Sequence, residues 1–209
     1  LELKQKAIEN IGKLQKAKTV LMSLVGKGFN DQELPELFDY VHERRRFIRG
    51  VYFLPLAHTW EKEDFDLEPE RITSEDIEQC VDDAYPDDRV EFIPAGFLGQ
   101  LPSIMKYLKL KPLPFVGAHP NCESMYILVS DGERFVPIAR FFKSSVLDVC
   151  NGLLDVERRL AKRAERMERS VFGKTLGALR LRTLWLRITA ALGVGRTLFK
   201  HARVGRFFK

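Results

Sequence analysis

KTVLMSLVGKGFNDQELPEL (residues 18–37) and FIRGVYFLPLAHTWE (residues 47–61) each set a short apolar run against a turn. Thr19 to Val25 is mostly apolar and too short for a helix, so it reads as a buried strand. Gly26 and Gly28 break the run. Asn30 or Asp31 can cap a following helix in which Leu34, Leu37, Phe38 and Val41 face inward. Phe47 to Leu54 is a second buried strand, stopped by Pro55. Ahead of both, Leu3, Ala7, Ile11 and Leu14 recur at helical spacing, an amphipathic helix ending near Ala17. Helix, strand, helix, strand with short connections is the rhythm of a parallel α/β sheet or barrel. Parallel strands of consecutive units put the turn at Gly26–Asn30 and the segment at Pro55–His58 on one rim.

Beyond Pro55 the rhythm changes. Leu56 to Ile72 is polar and irregular, a loop long enough to suspect function. Thr73 or Ser74 caps a helix running to about Ala84, with acidic residues in its first turn as the helix dipole prefers. Phe97 to Leu110 is an amphipathic helix interrupted by Pro102, and LysProLeuPro at 111–114 is a stiff connector. Met125–Ser130 and Arg134–Ile138 alternate around AspGly, a β-hairpin. From Ser144 onward helical periodicity returns, with breaks read near Gly173 and at Gly193–Gly195.

The chain has 209 residues and a net charge of +5. No apolar run of about 18 residues suggests a spanning helix, and no signal peptide opens the chain. It begins in mid-helix without Met, which leads us to expect a fragment. Cys80, Cys122 and Cys150 are far apart, so neither a zinc site nor a disulfide framework is indicated. Their odd number and the missing export signal suit a reducing cytosol. The charge is split: residues 155–209 carry 15 Lys/Arg and 4 Asp/Glu, a balance of +11, whereas residues 1–154 are net acidic at −6. Such asymmetry points the basic tail at an anionic partner.

GlyLysGlyPheAsnAsp (26–31) follows a strand and opens a helix. Its glycines permit a tight turn, and a helix N-terminus favours an anion, but the stretch is neither GxGxxG nor a P-loop. On its residues alone the stretch reads first as a plain turn and cap. ArgIleThrSerGluAsp (71–76) reads either as a capped surface helix with an ion-paired Arg71 or as a site segment. In HisProAsnCysGlu (119–123), His119 and Cys122 stand three apart in a Pro-rich loop before a strand. Thiolate and imidazole are sound metal ligands, yet two ligands do not complete a site. Cys80 and Cys150 sit at helical core positions, and His42 and His58 are lone histidines.

Taken in order, these segments resemble the back half of a radical S-adenosylmethionine (SAM) enzyme. The strand with its Gly-x-Asn-Asp turn is similar to the molybdenum-cofactor biosynthesis branch. The likeness continues through HisGluArgArgArg (42–46) and IleArgGlyValTyrPheLeuPro (48–55). Arg-x-Thr-x-x-Asp at 71–76, and His-Pro-x-Cys leading to Ile-x-Arg-Phe at 138–141, resemble a subgroup related to tetraether lipid synthases and pterin-modifying methyltransferases. The resemblance covers residues 1 to about 143. It implies a partial (β/α) barrel with a small hairpin region and a basic helical C-terminal extension, divided as 1–72, 73–143 and 144–209.

It also implies SAM and a [4Fe–4S] cluster in the complete enzyme. There the cluster reduces SAM to a 5′-deoxyadenosyl radical, for radical C–C bond formation or methylation, with a lipid as one suggested substrate. Gly28, Asn30, Pro55 and Arg71 are the expected cofactor-binding residues, and His119 and Cys122 the expected metal ligands. Two departures matter. The Cys-x3-Cys-x2-Cys loop is absent, and Phe97, Leu98 and Gly99 stand where relatives often carry further cysteines. This chain alone is therefore not expected to hold either cofactor. A missing N-terminal half or a partner chain is implied.

The C-terminal helices set Leu, Trp and Ile against Arg, and add paired aromatics among basic residues. A basic amphipathic helix with Trp185, Phe199, Phe207 and Phe208 is a membrane-surface pattern. Packing within the protein or on a partner is the alternative, and no nucleic-acid-binding motif is present. The expected location is cytoplasmic, with a peripheral membrane contact. A non-catalytic membrane- or partner-binding protein derived from the same fold is the second functional reading.

Overall fold

The computed structural model describes residues 2–14, 17–57, 60–61, 70–111, 123–169, 176–203 and 205. The chain divides into two compact units, one of residues 1–90 with 128–137, the other of residues 91–127 with 138–209.

The first unit is built on a parallel pair. Strand β1 (Thr19–Val25) lies beside β2 (Ile48–Pro55) in the register Leu21 to Val51 through Val25 to Pro55, with an irregularity between Thr19 and Leu21. Helix α1 (Glu2–Lys13) buries no residue completely and stops four residues short of Ala17. Gly12 sits tightly on Phe47, where a Cβ would lie 2.8 Å from the ring. Helix α2 (Leu34–Glu43) buries Leu34, Phe38, Val41 and His42. Phe38 meets Phe53 edge-on and lies against Tyr85, with ring centroids 6.1 and 5.7 Å apart. Helix α3 (Ser74–Asp83) buries Ile77 and Val81 and is opened by Thr73, as its sequence requires.

The outer residues of β1 are uncovered. Val20, Met22 and Leu24 alternate with half-buried positions, and Met22 is 72% exposed. That departs from a strand buried on both faces, because among the described residues the sheet has only two strands.

The sequence pattern predicts Met125–Ser130 as one strand of a hairpin. Instead it is divided. Residues Ser124–Met125 (β4) pair antiparallel with Ile93–Pro94 (β3) in the second unit. Leu128–Ser130 (β5) pairs with Phe135–Pro137 (β6) in the first. The AspGly turn is as read: Asp131 Oδ1 accepts the N–H groups of Glu133 and Arg134 at 3.0 and 2.9 Å, and Gly132 takes φ +108°. The hairpin is tied to α2 by His42, whose Nε2 lies 2.8 Å from Ser130 Oγ while its ring meets Phe135 edge-on.

The second unit is helical. A 3₁₀ segment Ala95–Gln100 leads into α4 (Pro102–Leu108), and a second, Ile138–Phe141, leads to α5 (Val146–Arg169). Helix α6 (Leu176–His201) runs antiparallel to α5. Ser144, before α5, bonds His201 at the end of α6, whereas Met167 near the end of α5 accepts from Arg182 near the start of α6. Phe97, Ile104, Val149, Leu160, Leu186 and Ala190 form its core.

The break expected at Gly193–Gly195 does not occur; α6 continues through it. Gly193 faces Val156 of α5, where a Cβ would lie 2.8 Å from Val156 Cγ1. The glycine allows helix–helix approach, and that packing outweighs its poor helix propensity. The break expected near Gly173 falls outside the described residues.

The fold is therefore mixed α/β, with three two-stranded sheets and no closed barrel among the described residues.

Candidate functional site

β1 and β2 finish together. Val25 pairs with Pro55, and the Leu56 N–H donates to the Val25 carbonyl at 2.8 Å. The segments after both strands thus leave from one end of the sheet, as parallel βα units require. Gly26 packs against Leu56, whose Cδ2 would lie 3.0 Å from a Cβ, and Gly28 adopts φ +75°. Only the second of these needs the left-handed region that glycine enters freely.

Asn30 and Asp31 do not cap α2 as expected. The helix opens through a 3₁₀ turn, Asp31–Glu33, with no side-chain cap from Asn30. Asn30 Oδ1 instead accepts the Gly26 N–H at 2.9 Å while its Nδ2 donates to the Leu24 carbonyl at 2.9 Å. Asp31 Oδ1 accepts the Gly28 N–H at 3.0 Å. A strand end leaves backbone groups to be paired, and these side chains pair them locally. In consequence, two N–H groups that an anion would use are already engaged by side chains.

Glu70 joins the rim from the far end of the long loop. It pairs with Lys27 in an isolated antiparallel bridge, and Lys27 Nζ stands 3.4 Å from its carboxylate in an exposed ion pair. Arg71 follows, exposed to solvent. Thr73 then closes a capping box with Asp76: the Thr73 N–H and hydroxyl donate to Asp76 Oδ2 at 2.7 and 2.9 Å, and the Asp76 N–H donates to Thr73 Oγ1 at 3.3 Å. Those two Thr73 donors hold the Asp76 carboxyl below its usual value, and the charges of Lys27 and Arg71 add to the effect. Gly28, Asn30, Pro55 and Arg71 therefore gather at one end of the parallel pair. The sequence reading gave Lys27 and Glu70 no role. Their pairing across the long loop had no local signature.

The cysteines behave differently. Cys80 on α3 is half-buried, and burial first, then the carboxylates of Asp31, Asp83 and Asp76, push its thiol up. Cys150, in the core of the second unit, is pushed up to about 11 by burial, with Glu91 adding. His119 and Cys122 lie outside the described residues, as do His58, Phe207 and Phe208. Among the described residues, no three His, Cys, Asp or Glu side chains gather as a metal site. Trp185 and Phe199 both stand exposed on α6. No described helix is long and apolar enough to cross a membrane.

No family model matches the chain. Over 144 residues it is 28% identical to the 7,8-dihydro-6-hydroxymethylpterin dimethyltransferase of Methanocaldococcus jannaschii. The match takes in 68% of this chain and spans 28% of that protein's length. The chain is thus similar, at a distance, to part of a methyltransferase.

Proposed function

We propose that this chain is the C-terminal portion of a radical SAM methyltransferase, and that β1, α2 and β2 are one unit of its (β/α) barrel. The parallel pair carries the reading. Its strand ends collect the Gly-x-Asn-Asp turn, Pro55 and Arg71 at one rim, where barrel enzymes place their sites. The uncovered side chains of β1 support it as well, since parallel sheets are ordinarily covered on both faces. The motif resemblance includes pterin-modifying methyltransferases, and the relative is one by name. That favours methylation over other C–C bond formation.

The described residues of this chain do not fit a [4Fe–4S] cluster. Such a cluster needs closely spaced thiolates, whereas no three candidate ligands gather among the described residues and burial pushes the thiols of both described cysteines, Cys80 and Cys150, up. No step through a cluster is therefore assigned to this chain. SAM fits the rim better. Arg71 would pair with its carboxylate, and Gly28 and Pro55 would let the backbone approach. Bound there, it would supply the 5′-deoxyadenosyl group, with methionine as the leaving group and the electron coming from the cluster of the complete enzyme. Asn30 acts indirectly, by bracing the turn through Gly26 and Leu24.

The test uses the protein encoded by the complete gene, reconstituted anaerobically with iron and sulfide. Cleavage of SAM to 5′-deoxyadenosine, with affinity for SAM lowered about tenfold by Arg71→Ala, is the expected outcome; a lost charge-assisted hydrogen bond has that size. A gene with no Cys-x3-Cys-x2-Cys upstream of Leu1 sinks the enzyme reading. SAM binding indifferent to Arg71 removes the rim assignment alone.

A further inference from the structure

We infer that the outer face of α6 docks on an anionic lipid surface. Apolar residues stand on two opposite faces of this helix. Leu186 and Ala190 are buried, on the side that carries Gly193 and Thr197. Opposite them, Leu181, Trp185, Ile188, Leu192 and Phe199 follow spacings of four, three, four and seven. At about 100° per residue these fall within about 40° of one line, a stripe about 27 Å long. The stripe is open: Trp185 is 44%, Leu192 66% and Phe199 70% exposed. A single helix-packing face explains Leu186 and Ala190 but not these five.

The charge on either side of the stripe is of one sign. Arg180 and Arg187 lie along one flank, and Arg182, Arg196 and Lys200 along the other; α6 contains no Asp or Glu. Arg163 of α5 adds its guanidinium 5.2 Å from the centre of the Trp185 ring. Leu179, Arg180, Thr183, Leu184 and Arg187 line an open depression of about 490 Å³ beside the stripe. Apolar residues between two rows of cations match a bilayer interface, where side chains enter the acyl boundary and basic heads reach lipid phosphates.

The same charges argue against other occupants. A second copy laid face to face would set Arg rows against Arg rows, a like-charge contact that is costly. A nucleic acid would pair with the arginines but gain little from a Leu and Phe stripe. The inference is independent of the reading of the β1–β2 rim, because it rests on α5 and α6 alone.

The experiment uses the full chain and sedimentation with vesicles, either pure phosphatidylcholine or equimolar phosphatidylcholine and phosphatidylglycerol. We expect binding to the anionic vesicles that falls with added salt. Leu181→Ser with Leu192→Ser should weaken it at least tenfold, since each burial contributes on the order of a tenfold factor. Each of Arg180→Gln and Arg187→Gln should weaken it about fivefold. In a Trp60→Phe background, brominated acyl chains should quench Trp185, a readout that needs no change to the stripe. The inference is overturned by no binding at low salt, or by binding without quenching. Stripe-dependent self-association without vesicles, or salt-dependent capture of duplex DNA that survives the Leu changes, would assign the face to those partners instead.

Discussion

Glu157 of α5 holds the N-terminus of α4 through Ile104: one carboxylate oxygen accepts the Ile104 N–H at 2.8 Å, and the other accepts the Ser103 N–H at 2.9 Å. Helix α4 begins at Pro102 and has no side-chain cap of its own. A carboxylate from another helix takes that place, where the dipole favours negative charge. Glu157 is only 6% exposed and Ile104 is buried, so losing the pairing strands a buried donor. Glu157→Ala should destabilise the second unit by about 2–3 kcal/mol and Glu157→Gln by about 1 kcal/mol. Faster hydrogen exchange at Ser103 and Ile104 is the local readout. Unchanged exchange would mean the cap is not formed in solution.

Two glycines of α6 should respond in opposite senses to one substitution. Gly193→Ala places a methyl against the stiff Val156 side chain, and should cost about 1–2 kcal/mol after the gain in helix propensity. Gly195, with open space where a Cβ would stand, should gain about 0.5–1 kcal/mol on becoming Ala. Urea midpoints measured on both variants check the pair. Equal responses would show that α6 does not pack on α5 through Gly193.

The hairpin depends on a contact across the chain. Ser130→Ala leaves the buried His42 ring nitrogen without its hydroxyl partner, at a cost of about 1–3 kcal/mol. Amides of β5 and β6 should then exchange sooner than those of β1 and β2. If all four strands lose protection together, the first unit unfolds as one and the tie has no local role.

Burial of Cys150 raises its thiol from the ordinary 9.0 to about 11. The folded state thus binds a proton more tightly than the unfolded state. The associated stability is fully present below about pH 9 and is lost as pH rises towards 11. Alkylation at pH 8, followed by mass spectrometry, should label the half-buried Cys80 before Cys150. The reverse order would place Cys150 outside the core.

Much of the first unit was legible because its signals are local. The apolar run from Thr19 to Val25 coincides with β1, and Pro55 ends β2 where the sequence stops it. Thr73, one of the two caps that the sequence offers, opens α3, and Asp76 of the acidic first turn closes a capping box with it, because N-cap and N3 are three residues apart in any helix. Parallel pairing followed from the helix between the strands, and with it the shared rim at Val25 and Pro55.

Only tertiary structure decided the remainder. Gly193 and Gly195 punctuate the sequence identically, and Val156 alone distinguishes a packing glycine from an open one. Asn30 and Asp31 have the chemistry of caps, yet the unpaired amides of Gly26 and Gly28 claimed them first. Met125 alternates with the hairpin residues, but Ile93 took it as a partner in the other unit. The tail's composition announced basic and apolar residues together. Burial of Leu186 and Ala190 was needed to show which apolar face is spent on α6's own packing and which is left open. Composition and spacing fix what a segment is able to form; competition between distant partners for the same side chain is settled only when the chain is folded.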